Sequence, residues 1–145
     1  MKHRALPFAL RLPVVAAPMF LVSGPGMVLA ACKAGIVGAF PTPNARTIEV
    51  LDDWMRQITE GLASARAQDP RATIGPWCAN LVTHSSNARL AQDLQCIARY
   101  QPPIVVTALG SPKPAIEVVH GYGGLVIADV VNLGLAKKAV AAGLH

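Results

Sequence analysis

The chain has 145 residues, of which 52% are apolar and 14% charged, and its formal net charge at pH 7 is +5. The high apolar fraction excludes a disordered chain, because disorder needs low hydrophobicity and high charge. The length fits one domain over residues 1–145, with no separate second domain. The basic residues are scattered and are not interleaved with aromatic ones, so we predict no nucleic-acid partner.

The cysteines favour a reducing compartment. Cys32, Cys78 and Cys96 are odd in number and show no CxxC spacing, so they form neither a disulfide framework nor a zinc site. We therefore predict a cytoplasmic location, three buried thiols and no metal.

A charge-free stretch over residues 12–32 follows three basic residues and is similar to a secretory or lipoprotein signal. Pro18 and the segment Ser23-Gly24-Pro25-Gly26 interrupt it, and proline inside a helix is strongly unfavourable. The stretch therefore predicts a strand end, a loop and a helix start, with no membrane association. An exported lipoprotein stays as an alternative.

Five short aliphatic runs alternate with five helical segments. The runs lack the apolar–polar alternation of a half-exposed strand, which is typical of strands buried on both faces. The predicted strands cover residues 14–17, 36–40, 73–82, 104–107 and 125–128, and the pair Gly75-Pro76 is an irregularity within the third. The predicted helices cover residues 23–34, 46–67, 87–99, 111–120 and 132–141, and Asn87 and Asn132 are expected to cap the third and the fifth of them. This alternation predicts the α/β class, with parallel βα units and one parallel sheet.

Polar residues follow several of the predicted strands. In parallel α/β proteins, ligands bind beyond the carboxyl ends of the strands. Asn80, Thr107 and Asp129 stand at such ends and can hydrogen-bond a ligand. His84 follows the third strand and is a candidate general base, although a loop histidine bonded to the backbone is the more common situation. Dinucleotide, P-loop and GxSxG motifs are absent from the sequence.

Six segments together carry a family resemblance. They are residues 14–19 (VVAAPM), 34–40 (AGIVGAF), 78–82 (CANLV) with His84 and Asn87, 103–110 (PIVVTALG), 120–124 (HGYGG) and 128–130 (ADV). In this order they resemble the nitronate monooxygenases, formerly called 2-nitropropane dioxygenases. The resemblance extends over almost the whole chain.

The resemblance implies a fold, a cofactor and an activity. The fold would be a partial TIM barrel, in which this chain is the N-terminal part with about five of the eight strands. The cofactor would be FMN, and the reaction the oxidation of an alkyl nitronate with O₂. Related enzymes of this barrel group include FMN-dependent enoyl-reductases, so the barrel alone does not assign the substrate.

The resemblance also implies roles for particular residues. The backbone of Ala17, Pro18 and Met19 would lie against the isoalloxazine ring. Asn80 would hydrogen-bond the flavin, and Thr107 and Asp129 would line the same pocket.

The catalytic histidine of the family lies in a Gly-Gly-His-Ala-Gly-type segment after the sixth strand. That segment would fall beyond residue 145, and His145 precedes it, so we predict no catalytic residue within this chain. The chain alone should have little or no activity, and the edges of an incomplete barrel should associate.

Two further alternatives stay open. The chain could be a non-catalytic remnant or subunit that completes a barrel with a partner. It could instead be a flavodoxin-like domain that binds a small molecule, because five βα units also complete a doubly wound sheet with helices on both faces.

Overall fold

A computed structural model describes residues 6–144, so His145 lies outside the described residues. Strands and helices alternate strictly along this part of the chain. The elements are β1 (Val15–Ala16), α1 (Pro25–Lys33), β2 (Val37–Pro41), α2 (Ile48–Gln68), β3 (Trp77–Val82), α3 (Leu90–Tyr100), β4 (Ile104–Ala108), α4 (Lys113–Gly121), β5 (Leu125–Ala128) and α5 (Leu133–Ala141). A single 3₁₀ turn, Thr42–Asn44, lies between β2 and α2.

The strands form one parallel sheet in the order β1-β2-β3-β4-β5. In its register Val15 pairs with Val37, Cys78 with Ile104, and Ile104 with Leu125. Each strand thus lies beside the next one in the sequence, and the winding never reverses. A flavodoxin-like sheet has the order 2-1-3-4-5. The prediction of parallel βα units is confirmed, and the flavodoxin-like alternative is wrong.

The two faces of the sheet are covered differently. On one face, Phe40, Leu81 and Val105 belong to a large apolar core that includes side chains of α1–α4, such as Met55 and Val119. On the other face, alternate strand residues form a small separate cluster of Val37, Ala39, Cys78 and Ile104. We call this second side the inner face, because it corresponds to the inside of a barrel.

Phe40 stands at the centre of the helix-covered face and is fully buried. Its ring makes an edge contact with Trp54 of α2, at a centroid distance of 5.8 Å, and stacks on Trp77 of β3 at 6.3 Å. These contacts join β2, α2 and β3 through one side chain.

The third strand begins later than predicted, at Trp77 rather than residue 73. Gly75 packs directly against the preceding strand, where an added Cβ would lie 2.0 Å from the Ile36 carbonyl oxygen. Its N–H donates to the Cys32 carbonyl at 2.8 Å. The segment before Trp77 is therefore held by α1, which explains the irregular Gly75-Pro76 pair.

The predicted helix caps had different outcomes. Asn132 caps α5 as expected, and its Oδ1 accepts from the Leu135 N–H at 2.9 Å. Asn87 was expected to cap α3, but Arg89 occupies the cap position. The Asn87 amide instead donates to the Val82 carbonyl at 2.9 Å, so it ties the loop to the end of β3.

Apolar side chains are exposed beside both edge strands of the described sheet. Near β1 they include Val15 and Phe20, and near β5 they include Ile127 and Val131, which is 89% exposed. Such edges carry unpaired backbone groups beside apolar surface.

Within residues 12–32 the chain forms β1, a loop and the nine-residue α1. None of the helices in residues 6–144 has the length and apolar character needed to span a bilayer.

Candidate functional site at the carboxyl ends of the strands

The inner face is filled at one end and open at the other. Phe8 and Leu10, which precede β1, pack against the cluster of Val37, Ala39, Cys78 and Ile104 near the amino ends of the strands. Towards the carboxyl ends, Asn80 remains partly exposed and Ile127 is 44% exposed. The open end is the one at which parallel α/β proteins bind ligands.

Asn80 presents a hydrogen-bonding group on this open part of the inner face. It shares a side of β3 with Cys78, because strand residues two apart point the same way. Its Nδ2 donates to the Val106 carbonyl of β4 at 3.3 Å. Among the described residues, none donates a hydrogen bond to its Oδ1, which is therefore a fixed and available acceptor.

The segment Ala17-Pro18-Met19 follows β1 at the same end of the sheet. The Met19 N–H donates to Ser23 Oγ at 2.9 Å, and the Met19 carbonyl accepts from Asn44 Nδ2 at 2.9 Å. Pro18 has no N–H. The backbone groups of Met19 are therefore already used within the loops, while its side chain, which is 40% exposed, can offer apolar contact to a ligand.

Thr107 and Asp129 are not brought together with Asn80. Thr107 points to the same face of β4 as Val105, which is the helix-covered face, and it is buried there. Its Oγ1 donates to the Ile127 carbonyl at 3.4 Å, so it joins β4 to β5. The Asp129 side chain is exposed and lines a different space.

That space is a cavity of about 690 Å³ lined by the loops after β4 and β5, the start of α4 and one side of α5. Apolar residues such as Leu109 and Leu135 contribute most of its lining, together with Lys113, Asp129 and Lys138. The cavity follows β4 and β5, so it is adjacent to the carboxyl ends of the strands but distinct from the inner face.

His84 is an exposed loop residue. Its Nδ1 accepts the Ser86 N–H at 3.2 Å and lies 2.9 Å from Ser86 Oγ. His84 is thus a loop histidine bonded to the backbone, the more common situation for such a residue. The interaction stabilises the turn after β3.

The cysteine thiols are unsuited to nucleophilic chemistry. Cys78, on the inner face, is buried, and burial raises its pKa to about 12. Burial also raises the pKa of Cys32 to about 11. Both thiols therefore stay protonated near neutral pH.

No group of three or more metal-ligating side chains occurs within residues 6–144.

A buried polar cluster that no sequence pattern predicted lies behind the open end. Asp93, at the start of α3, is 1% exposed and accepts from Arg89 Nε at 2.7 Å. The other Asp93 oxygen accepts from Thr42 Oγ1 at 3.4 Å and from Asn87 Nδ2 at 3.3 Å. The spacing of Arg89 and Asp93 is typical of a helical ion pair, but it gave no sign that the pair is buried.

Comparison with solved structures places this fold among larger barrels. The chain is similar to the structure of FabK from Thermotoga maritima, with a TM-score of 0.72 and 19% identity over 93% of this chain. It is equally similar to the M276A mutant of FabK from the same organism, with a TM-score of 0.72 and 18% identity over 93% of this chain. The alignments cover 39% and 41% of those two chains, so the present chain spans about two fifths of their length.

The similarity confirms the predicted fold class, an α/β partial TIM barrel of consecutive parallel βα units. At this level of identity it shows the fold alone. No protein-family model matches the sequence, and no curated protein matches it.

Proposed function

We propose that the chain is the ring-binding section of an FMN-dependent oxidoreductase of the nitronate monooxygenase type, which oxidises alkyl nitronates with O₂. The observation that carries the proposal is the Asn80 carbonyl oxygen, an available acceptor at the open end of the inner face. Two findings support it: the barrel fold shared with FabK, and the motif resemblance of residues 14–19 and 78–82.

The residues of the open end fit a flat, partly apolar ring with N–H groups at its edge. Asn80 Oδ1 would accept a hydrogen bond from such an N–H. Ala17, Pro18 and Met19 would provide apolar contact, since the Met19 polar groups are already bonded. Thr107 would support the site from the helix-covered face, where its side chain joins β4 to β5. Asp129 would lie at the edge of the site, beyond the end of β5. When bound, FMN supplies the redox chemistry, and the protein supplies orientation and polarity.

FMN binding tests this proposal directly. The 145-residue chain is titrated against FMN while the quenching of flavin fluorescence is followed. We expect saturable binding that Asn80→Ala weakens about three- to tenfold, the equivalent of one hydrogen bond. The control is Gln57→Ala, which removes an exposed amide on α2 and should leave the affinity unchanged. Absence of saturable binding by the unaltered chain, or equal affinity of the two variants, would contradict the proposal.

The reaction is tested separately, by measuring O₂ uptake with an alkyl nitronate and added FMN. Our expectation for the chain alone is little or no turnover, because the resemblance puts the catalytic histidine outside residues 1–145. Rapid turnover by the chain alone would show that this expectation of inactivity is wrong.

The exposed edges support a second proposal, that the chain associates through β1 and β5. In sizing experiments with light scattering we expect species larger than the 15.2 kDa chain. Val15→Lys places a charge on the β1 edge and should shift the distribution towards the monomer. Val50→Lys, a partly exposed position on α2, is the matched control. A purely monomeric chain, or equal effects of the two lysines, would count against edge association.

We also propose a cytoplasmic location. The three free, buried cysteines support a reducing compartment.

A further inference from the structure

A continuous set of hydrogen bonds links the loops that follow the first three strands. It begins in the loop between β1 and α1, passes through the 3₁₀ turn Thr42–Asn44, and ends at the carboxyl end of β3. These three loops form one side of the open end of the inner face. Each link is made by a side chain that bonds the backbone of a neighbouring loop.

Asn44 makes the first link and uses its whole amide group. Its Nδ2 donates to the carbonyls of Met19 at 2.9 Å and Ser23 at 2.8 Å. Its Oδ1 accepts from the Leu21 N–H at 2.9 Å. Leu21 has a φ of 63°, an unfavourable conformation for a leucine that persists only where surrounding contacts impose it. Asn44 therefore helps to hold the shape of this loop, together with the bonds between Met19 and Ser23.

Arg89 makes the second link with all three of its guanidinium nitrogens. Nη2 donates to the Thr42 carbonyl at 3.0 Å, and Nη1 donates to the Ala45 carbonyl at 2.8 Å. Nε donates to Asp93, which also accepts from Asn87. The guanidinium thus brackets the 3₁₀ turn that carries Asn44. A lysine cannot reproduce three donors in one plane.

We propose that Asn44 and Arg89 are positioning residues. They hold the segment Ala17-Pro18-Met19 at a fixed position relative to Asn80, on the other side of the open end. The proposal rests on the proposed function, in which these two places contact one ring. Arg89 acts through Asn44: it fixes the 3₁₀ turn, and the turn fixes the β1 loop. Asn87 completes the arrangement by anchoring the Arg89–Asp93 pair to Val82, two residues beyond Asn80.

The first test needs no flavin and measures hydrogen exchange of single amides by NMR in the full chain. Asn44→Ala should speed exchange of the Leu21 amide, whose acceptor it removes. Arg89→Lys should also speed Leu21 exchange, about tenfold, although Arg89 does not touch Leu21. The Ala79 amide in β3 should keep its rate, because the effect is local. Arg56→Lys, on the exposed face of α2, is the control.

Unchanged Leu21 exchange in Arg89→Lys would overturn the link between the two residues. If Ala79 exchange rises equally, the effect is global unfolding, and the positioning role is also overturned. If Arg89→Lys fails to fold, Asn44→Ala still tests the proposal. In that variant, faster exchange of the Leu21 amide must be accompanied by a change in the absorption spectrum of bound FMN.

The second test uses FMN itself. With bound FMN, Arg89→Lys and Asn44→Ala should raise the dissociation constant several-fold and alter the visible absorption of the bound flavin. Faster Leu21 exchange with unaltered affinity and spectrum would overturn the positioning role. Failure of the unaltered chain to bind FMN would instead overturn the proposed function, while the exchange experiment would still decide whether Arg89 controls the β1 loop.

Discussion

Replacing Asp93 by alanine is expected to lower the free energy of unfolding by about 3–5 kcal/mol. Asp93 is 1% exposed, and it receives hydrogen bonds from Arg89, Thr42 and Asn87. Its removal leaves the Arg89 charge without its carboxylate in a largely buried position. Equilibrium urea denaturation measures the loss.

Two comparisons show whether this loss comes from the buried pair. Asp53→Ala removes an exposed carboxylate that pairs with Arg56 on α2, and we expect no measurable change. The double variant Asp93→Leu/Arg89→Met removes both charges and should recover part of the stability, because no unpaired charge stays buried, although the Thr42 and Ala45 carbonyls lose their donor. A double variant as unstable as Asp93→Ala would show that the lost hydrogen bonds of the cluster, and not the unpaired Arg89 charge, dominate the loss.

Replacing Phe40 by alanine is expected to lower the free energy of unfolding by a similar amount, about 3–5 kcal/mol. Phe40 is fully buried, and its ring contacts both Trp54 and Trp77. The substitution leaves a cavity where β2, α2 and β3 meet. Because both tryptophans line that cavity, urea denaturation followed by tryptophan fluorescence also reports a change in the native emission.

Phe20 provides the matched control for Phe40. It is 61% exposed in the loop after β1, so Phe20→Ala should change stability by less than about 0.5 kcal/mol. Phe40→Leu keeps part of the buried volume and should be intermediate. A loss below about 1 kcal/mol for Phe40→Ala would mean that the surrounding helices close the cavity, and that Phe40 is not central to the core.

The arrangement of strands and helices was predictable because its signals are local. The run of residues 125–128 is a short aliphatic segment between glycines and Asp129, and the structure has β5 at these positions. Asn132 caps α5 as its place before an apolar segment predicts. Aliphatic periodicity and breaker residues act within a few positions, so one sequence reveals them.

The details of the site depend on partners far apart in the sequence. Thr42 bonds Asp93 across 51 positions, and Arg89 bonds Thr42 across 47, so no local pattern announces either contact. Thr107 shows a second limit. A strand end is easy to recognise, but the face to which its side chain points follows from the register. Here Thr107 points to the same face as buried Val105.

The uninterrupted order of the strands also means that they can pair in the order in which the ribosome makes them. Each strand after β1 pairs with a neighbour that has already left the ribosome, and α2 and α3 each pack beside the helix made just before them. Each newly made strand therefore finds its partner in the sheet already synthesised, and no strand after β1 needs a partner from a later part of the described chain before it can pair. At every stage the outer edge of the newest strand is unpaired until the next strand is made, whereas the outer edge of β1 stays unpaired throughout the described sheet.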